Sequence, residues 1–585
     1  MSFLSRIMVL KSQAHFSSGV YNRFGGPTGS LPLEGSRKKK SGQAKSRVGL
    51  LIIGFTALYG VIGGRLVEYA MKDPEVVSSI LPPDRLMASR PDILDRNGEV
   101  LATDIRTVSL FAEPNKIVDA DEAIEKLATV LPDLDVKGTY RKLSVKSSHF
   151  AWLRRQLTPK QQSQILALGI PGIGFRPEKR RFYPGGATAA HILGYVNIDN
   201  RGVAGMEKYI DDQGLADLAS VGMTSNQSLE PVRLSIDVRV QAIVRDAVIN
   251  AVNNFQAKGA GAAVINVHTG EVLGMASAPD FDPNNPQEGA KDGWLNRMTN
   301  GTFEMGSTFK TFSLAMALDT GKVKMTDSFD ASKPIYIGGF TIKDFHGQRR
   351  WLTVPEIFQY SSNIGTARVI DIVGIDAQKD YLTRLGLLTK LQTELPEVKT
   401  PSQPRAWKKI NSITISFGHG VSTTALQTGV AAAALVNGGK LIEPTFLPRT
   451  RDQADQIAQQ VISKKTSDEV RYLLDFNGSK GSGRVARVPG FQVGSKTGTA
   501  DKVVNGRYSS TLNFNSFISA FPINDPKYAI ITFCDEPKTG EKAYGGTISA
   551  GTAGPIAREI IRRAAPILGV EPQFGEDGSA LLVSY

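Results

Sequence analysis

The sequence predicts an α+β fold: an antiparallel sheet of about five strands covered by helices, preceded by a smaller mixed α/β module and a single transmembrane helix. Three observations carry this. Strand-like apolar runs pair up at two distant places, Gly261–Val267 with Glu271–Ser277 and Phe514–Phe521 with Tyr528–Asp535; a short strand reaching Val493 and Lys496 adds to them. A nearly all-apolar helical run follows Gly306, with Phe309, Phe312, Leu314, Met316 and Leu318 at three- and four-residue spacings and Gly321 as its stop. Such a helix belongs inside a core. The third is Val48–Gly64, 17 residues without a charge, at the short end of what crosses a bilayer.

The chain has 585 residues, 41% hydrophobic and 21% charged, enough for two or three globular domains. Its net charge of +13 is mostly a tail: residues 1–47 hold nine Lys/Arg against one acid. Arg37-Lys38-Lys39-Lys40, Lys45 and Arg47 precede the uncharged run, which keeps that side in the cytoplasm by the positive-inside rule. A basic cluster beside a membrane segment holds anionic lipid, so no nucleic-acid role is drawn from it. A cleavable signal peptide does not fit, because the tail is too long and no small-residue cleavage site follows. The Ser-rich, acid-poor first 25 residues leave a transit-peptide reading open. The predicted organisation is a basic cytoplasmic tail (1–47), an anchor (48–66), an N-terminal module (67–230), a larger domain (231–570) and a C-terminal tail (571–585).

After an amphipathic neck ending in Leu81-Pro82-Pro83, short elements alternate. Pro91–Asp95 and Glu99–Ala102 flank Arg96-Asn97-Gly98, a hairpin turn by its Asn-Gly. Asp121–Leu131 and Thr158–Leu168 are predicted helices, the second with Thr158 as cap and Pro159 at its first position. Past a boundary near Glu230-Pro231, Val232–Ile236 reads as a strand and Val238–Val252 as a helix. His268-Thr269-Gly270 is a turn, which makes His268 structural. Cys534, the single cysteine, falls in an apolar strand and reads as a small core residue, and no disulfide framework exists. The six histidines never approach metal-ligand spacing, and no Walker or dinucleotide fingerprint occurs, so no cofactor is implied.

The chemistry is expected at Glu304-Met305-Gly306-Ser307-Thr308-Phe309-Lys310. Ser307 falls in the first turn of the apolar helix, and Lys310 lies on the same face one turn on. A serine needs something to take its proton, and a lysine can do so only when neutral, which burial favours. Ser-x-x-Lys alone arises by chance in a chain this long. Its weight comes from two later stretches in order: Ser361-Ser362-Asn363 and Lys496-Thr497-Gly498-Thr499.

Ser-x-x-Lys, Ser-x-Asn and Lys-Thr-Gly together resemble the signature of penicillin-binding proteins and class A β-lactamases. Arg90-Pro91 through Gly98, Arg181-Phe182-Tyr183-Pro184 and Gly202-Val203-Ala204-Gly205-Met206-Glu207 resemble motifs of the non-catalytic N-terminal module of class B penicillin-binding proteins. Gly418-His419-Gly420 and Thr424-Ala425-Leu426-Gln427 resemble the stretch before the last motif. The resemblance runs from the anchor to about Arg563 and is strongest to the division-specific, FtsI-type class B enzymes.

That resemblance implies a peptidoglycan D,D-transpeptidase and β-lactam target in the inner membrane, its catalytic domain periplasmic. Ser307 would attack a stem peptide ending in D-Ala-D-Ala, with Lys310 as base. Ser361 would relay the proton, Asn363 would hold the peptide and keep Lys310 oriented, and Lys496 would add positive charge. Thr497, Gly498 and Thr499 would bind substrate. The implied partners are a membrane glycosyltransferase of FtsW type, other division proteins and membrane lipid. Ser362 stands where class A β-lactamases carry Asp, and no Glu-x-x-Leu-Asn follows, which implies an acyl-enzyme awaiting an amine instead of water. Met305 stands where many relatives have Pro. An elongation-specific transpeptidase, a hydrolytic carboxypeptidase and a non-enzymatic binding platform or β-lactam sensor remain as alternatives.

Overall fold

The computed structural model describes residues 52–65, 90–214, 230–285, 287, 295–542 and 546–574. Two compact units divide between Pro82 and Pro83. In the first unit, residues 52–65 form one helix with Ile52, Phe55, Leu58 and Tyr59 exposed. Residues 48–51 and 66 of the predicted anchor lie outside the described residues, as do the basic tail and most of the neck. Among the described residues no helix is long and apolar enough to cross a membrane.

The second unit opens with a five-stranded sheet. β1 (Ile93–Leu94) and β2 (Val100–Ala112) form the predicted hairpin, with the Asp95 carboxylate accepting from the Asn97 and Glu99 amides. Helices α1 (Ala120–Val130) and α2 (Val136–Ser144) follow, the first capped by Asp119 and the second by Asp135. Next come β3 (Ala151–Leu157), α3 (Pro159–Ala167) and β4 (Ile173–Phe182). Thr158 and Gln161 close a capping box on α3, as the sequence predicts. Both hairpin arms differ from the expected Pro91–Asp95 and Glu99–Ala102: the first shortens to Ile93–Leu94, and the second runs on to Ala112 and pairs with β1, β3 and β4.

β4 is highly charged, yet Glu178 and Arg181 point inward. Charges are admitted there because each is paired. Arg181 bonds Glu207 at 2.6 Å and Asp104 at 3.2 Å, while Arg90 bonds Glu207 and Asp211. Glu207 comes from α4 (Gly205–Asp212), so the three N-terminal motifs meet in one buried ion cluster and act structurally. β5 (Val232–Arg233) returns to this sheet and pairs in parallel with β1.

The larger sheet is built from β6 (Gly259–Asn266), β7 (Val272–Ala278), β8 (Gly494–Val504), β9 (Arg507–Phe521) and β10 (Tyr528–Asp535). Its order is β8-β9-β10-β6-β7, antiparallel throughout, so β8 lies at an edge. The predicted count of five strands holds. β6 and β7 are buried almost throughout, because helices cover both faces. One face packs on α5 (Val238–Phe255) and α11 (Ala553–Ala564) through Val248, Phe517, Phe521 and Ile560. Cys534 joins that layer, fully buried, and burial pushes its thiol far above the ordinary range. The other face packs on α6 (Phe309–Asp319), α9 (Ala425–Val436) and α10 (Lys464–Lys480) through Phe312, Leu426, Leu473 and Ile531. Between α6 and α9, α7 (Val354–Gln359) and α8 (Asn363–Val373) carry the second motif. His268 sits in the β6–β7 turn, where the Asn266 side chain accepts from its amide.

Candidate active site

Ser307 stands in a single 3₁₀ turn, Gly306–Thr308, that runs into α6. The sequence places it in the first α turn; the tighter turn arises because Thr308 Oγ1 bonds back to the Met305 carbonyl at 2.8 Å. Gly306 has φ of +55°, and a Cβ there would lie 2.5 Å from the Thr499 carbonyl oxygen. The Ser307 turn and β8 can touch at Gly306 only because that residue has no side chain. α6 is apolar all round and buried from Phe309 to Leu318, taking Lys310 with it.

Lys310 is fully buried, and so is Lys496 on β8. Both reach the same hydroxyl. Lys310 Nζ lies 3.1 Å from Ser361 Oγ and donates to the Ser361 carbonyl at 2.5 Å. Lys496 Nζ lies 3.0 Å from Ser361 Oγ and donates to the Thr497 carbonyl at 3.0 Å. Ser361 adopts φ of +53°, uncommon for a residue with a side chain, and thereby turns both its oxygens on Lys310. Burial, and then the neighbouring Lys496 charge, drives the Lys310 amine well below the ordinary lysine range, with Asp344 opposing. Burial alone lowers Lys496 to about 7. Burial thus favours the neutral amine of Lys310, three residues along from Ser307, while the Ser307 hydroxyl bonds no described residue.

Ser362 caps α8 by accepting from the Gly365 amide at 2.9 Å. Its hydroxyl donates to Asp344 Oδ2 at 2.7 Å, and Asp344 Oδ1 accepts from the Ile364 amide at 2.9 Å. A carboxylate therefore braces the start of α8, where the helix dipole favours negative charge. Sequence reasoning missed Asp344, which lies in a loop outside every motif. Asn363 is half-buried, and its amide donates to the Lys343 carbonyl at 2.9 Å. It makes no bond to Lys310, whose amine is held by Ser361 instead.

On β8, Gly498 faces the nucleophile loop, where a Cβ would meet the Met305 carbonyl at 2.4 Å. Thr497 Oγ1 shares a 2.7 Å hydrogen bond with Ser482 Oγ, and Thr499 Oγ1 accepts from the Ser549 amide at 3.1 Å. The Thr499 O–H remains free to donate. Of the eight predicted positions, hydrogen bonds join Lys310, Ser361 and Lys496, and close backbone approach sets Gly498 and Thr499 against the turn that carries Ser307. Asn363 bonds Lys343 and Thr497 bonds Ser482, and Ser482, Ser549 and Asp344 are added by the structure. Among the described residues no group of His, Cys, Asp or Glu could hold a metal ion.

Residues 260–562 match the penicillin binding protein transpeptidase domain family, and residues 85–222 match the penicillin-binding protein dimerisation domain family. The probable peptidoglycan D,D-transpeptidase FtsI of Caulobacter vibrioides is 38% identical over 492 residues, spanning 83% of this chain and 82% of that protein. The peptidoglycan D,D-transpeptidase FtsI of Escherichia coli is 30% identical over 516 residues, spanning 83% and 85%. The chain belongs to the FtsI-type class B penicillin-binding proteins. The transpeptidase domain of Burkholderia pseudomallei penicillin-binding protein 3 superposes with a TM-score of 0.52 at 29% identity, covering 58% of this chain and 98% of that one.

In this class B penicillin-binding protein the Gly418–Gly420 loop locks the nucleophile loop from behind. Gly306 N donates to the Gly418 carbonyl at 3.2 Å. Gly418 has φ of +88°, and a Cβ there would lie 2.0 Å from the Gly306 carbonyl oxygen. Gly418→Ala is therefore expected to cost roughly 2 kcal/mol or more, through backbone strain and displacement of the Ser307 turn. Thermal unfolding and the penicillin acylation rate should fall together; an unchanged midpoint would mean that the two loops tolerate separation. Glu304 completes the lock, its Oε1 accepting from the Gly420 amide at 2.7 Å and from the Tyr508 hydroxyl at 3.2 Å.

Proposed function

We propose that this protein is a serine-type peptidoglycan D,D-transpeptidase of the division septum and a β-lactam target. One observation carries the reading: two buried lysines, Lys310 three residues along from Ser307 and Lys496 on the edge strand β8, converge on the single hydroxyl of Ser361. Ser307 Oγ attacks the penultimate D-Ala carbonyl as Lys310 takes its proton. The C–O bond forms, the C–N bond to the terminal D-Ala breaks, and Ser361 passes a proton to the departing amine as it takes the one held by Lys310. Lys496 stabilises charge at Ser361, and Asn363 holds the peptide backbone. The backbone N–H groups of Ser307 and Thr499 form the oxyanion hole, each worth about 3–4 kcal/mol by comparison with measured donors. Gly498 lets the peptide lie along β8 as an added strand, its terminal carboxylate gripped by Thr497 and Thr499. An amine from a second stem peptide then attacks the ester, the C–N bond forming as the C–O bond to Ser307 breaks, and its proton passes through Lys310 to Ser307 Oγ.

The domain scheme belongs to this reading: tail 1–47, anchor 48–66, pedestal-like module 67–230, transpeptidase domain 231–570 and tail 571–585. The anchor holds the protein in the inner membrane with residues 1–47 cytoplasmic and the catalytic domain periplasmic. Among the described residues, the helix over 52–65 with its exposed apolar side chains supports this. A transpeptidase of this type lacks glycan polymerisation, so a membrane glycosyltransferase of FtsW type supplies the glycan strands. The septal assignment is supported by the FtsI names of the relatives above, and mid-cell against side-wall localisation of a tagged copy decides it.

The direct test is intact mass with and without benzylpenicillin, followed by peptide mapping. One adduct per chain, on the peptide containing Ser307, is expected. Adding an acceptor amine to a donor-peptide reaction should then yield the amide product in excess of the hydrolysis product. Hydrolysis alone would make the enzyme a carboxypeptidase.

A further inference from the structure

Two turns stand against β8 where the reading above sets the terminal carboxylate of the substrate. By the alternation of a strand, Ser495, Thr497 and Thr499 share one face. The 3₁₀ turn Ser482–Ala486, which follows α10, meets Ser495 and Thr497. The 3₁₀ turn Ser549–Gly551 meets Thr499. Each turn brings one hydrogen-bonding group to one threonine hydroxyl.

At Thr499 the direction of that bond is fixed. A backbone N–H can only donate, so Thr499 Oγ1 accepts from Ser549 at 3.1 Å and keeps its own O–H for another partner. Ser549 is itself pinned, its hydroxyl donating to the Ser516 carbonyl on β9 at 2.6 Å. At Thr497 the partner is the Ser482 hydroxyl, 2.7 Å away, and two hydroxyls can share a bond in either direction. Among the described residues neither oxygen has a further partner, so one O–H of the pair is left to donate outward. A carboxylate at the strand edge selects the direction: it takes the hydrogen of Thr497, and Ser482 is then the donor within the pair. Hydroxyls in such a chain polarise one another, which strengthens the outer bond.

The place of Ser482 is built. Asn477 in α10, fully buried, donates to the Ser495 carbonyl at 2.7 Å, and the buried Ser495 hydroxyl donates to the Gly483 carbonyl at 3.1 Å. Gly483 packs so closely that a Cβ on it would collide with Ser495 Oγ. The turn is thus riveted to β8 one residue from Ser482, while Ser482 and Thr497 themselves stay half-buried.

We propose that Ser482 is a positioning residue for the terminal carboxylate: its hydroxyl donates to Thr497 Oγ1 and so turns the Thr497 O–H towards the anion. This rests on the transpeptidase reading. The two threonines then act alike, each accepting from a 3₁₀ turn behind it and each donating to the substrate. Ser482 touches no reacting atom and makes or breaks no covalent bond.

The test uses the full-length protein with benzylpenicillin, whose carboxylate stands for that of D-Ala-D-Ala, and with its methyl ester. The readout is the ratio of their second-order acylation rate constants within each variant, followed by intact mass. Ser482→Ala should slow benzylpenicillin about 10-fold and leave the ester within about twofold. Ser482→Thr and Ser482→Val form a pair of equal shape, of which the first should keep the wild-type ratio and the second lose it. Should Ser482→Ala fail to fold, or the ester react too slowly to time, the benzylpenicillin rates of that pair at equal melting temperature decide alone. An equal fall with both compounds, an Ala variant as fast as wild type, or a Thr variant no faster than Val overturns the positioning role and leaves the transpeptidase intact. No acylation of the wild-type chain by benzylpenicillin overturns both.

Discussion

Ser307→Ala is expected to abolish covalent labelling by benzylpenicillin while leaving the protein folded. The two halves of that result have separate causes. Labelling needs an oxygen at this position, and no other hydroxyl in the cleft combines the same place at the head of α6 with a free O–H. Ser361 Oγ is shared by two lysines, Ser362 Oγ is bound to Asp344, and Thr497 Oγ1 is bound to Ser482. Stability is spared because the Ser307 hydroxyl bonds no described residue, and the turn is closed by Thr308 and Gly306. The melting temperature should move by no more than about 2 °C. Intact mass and a thermal melt check both halves. Undiminished labelling would place the nucleophile elsewhere.

Lys310→Ala should slow acylation by roughly a thousandfold or more, since a general base that also orients its neighbours is removed. An ordinary lysine with pKa near 10.4 would be neutral in only about one molecule in 2,500 at pH 7, so burial at this site is what makes the base usable. Acylation by the wild-type chain should therefore decline on the acid side as Lys310 gains a proton, and the variant should lose that limb of the profile. The same burial has a thermodynamic sign. Lys310 and Lys496 both bind protons more weakly in the fold than in the unfolded chain. Their contribution to stability therefore grows as pH rises from about 7, where Lys496 titrates when folded, towards about 10.4, where lysine titrates when unfolded. Stopped-flow acylation and denaturant melts across that range measure the two effects. A near-normal rate in Lys310→Ala would remove lysine as the base.

Much of the larger domain was legible in the sequence because its signals are local. The apolar runs at Gly261–Val267 and Tyr528–Asp535 became β6 and β10, shifted by two residues or fewer at their ends. Thr158-Pro159 capped α3 as expected. Lys310 and Lys496 lie in two of the motifs read in the sequence, and they meet at the Ser361 hydroxyl of the third. What stayed hidden depends on approach between segments far apart in the chain. Asp344 has no motif around it and gains meaning only where it meets Ser362 and Ile364. The left-handed Ser361 and the contact of Gly306 with Gly418 are set by packing, not by neighbours in sequence. β4 was unreadable as a strand because its charges look like a solvated face until Glu207 and Asp104 are brought to them.

The parallel pairing of β5 with β1 means that the polypeptide crosses from one sheet into the next domain through a shared strand instead of a slack tether. Arg96 N also bonds the Ile236 carbonyl, and Asp95 accepts from the Val238 amide at the start of α5. A pull on the amino-terminal side would load these bonds in shear and reach the helix beneath the catalytic sheet directly.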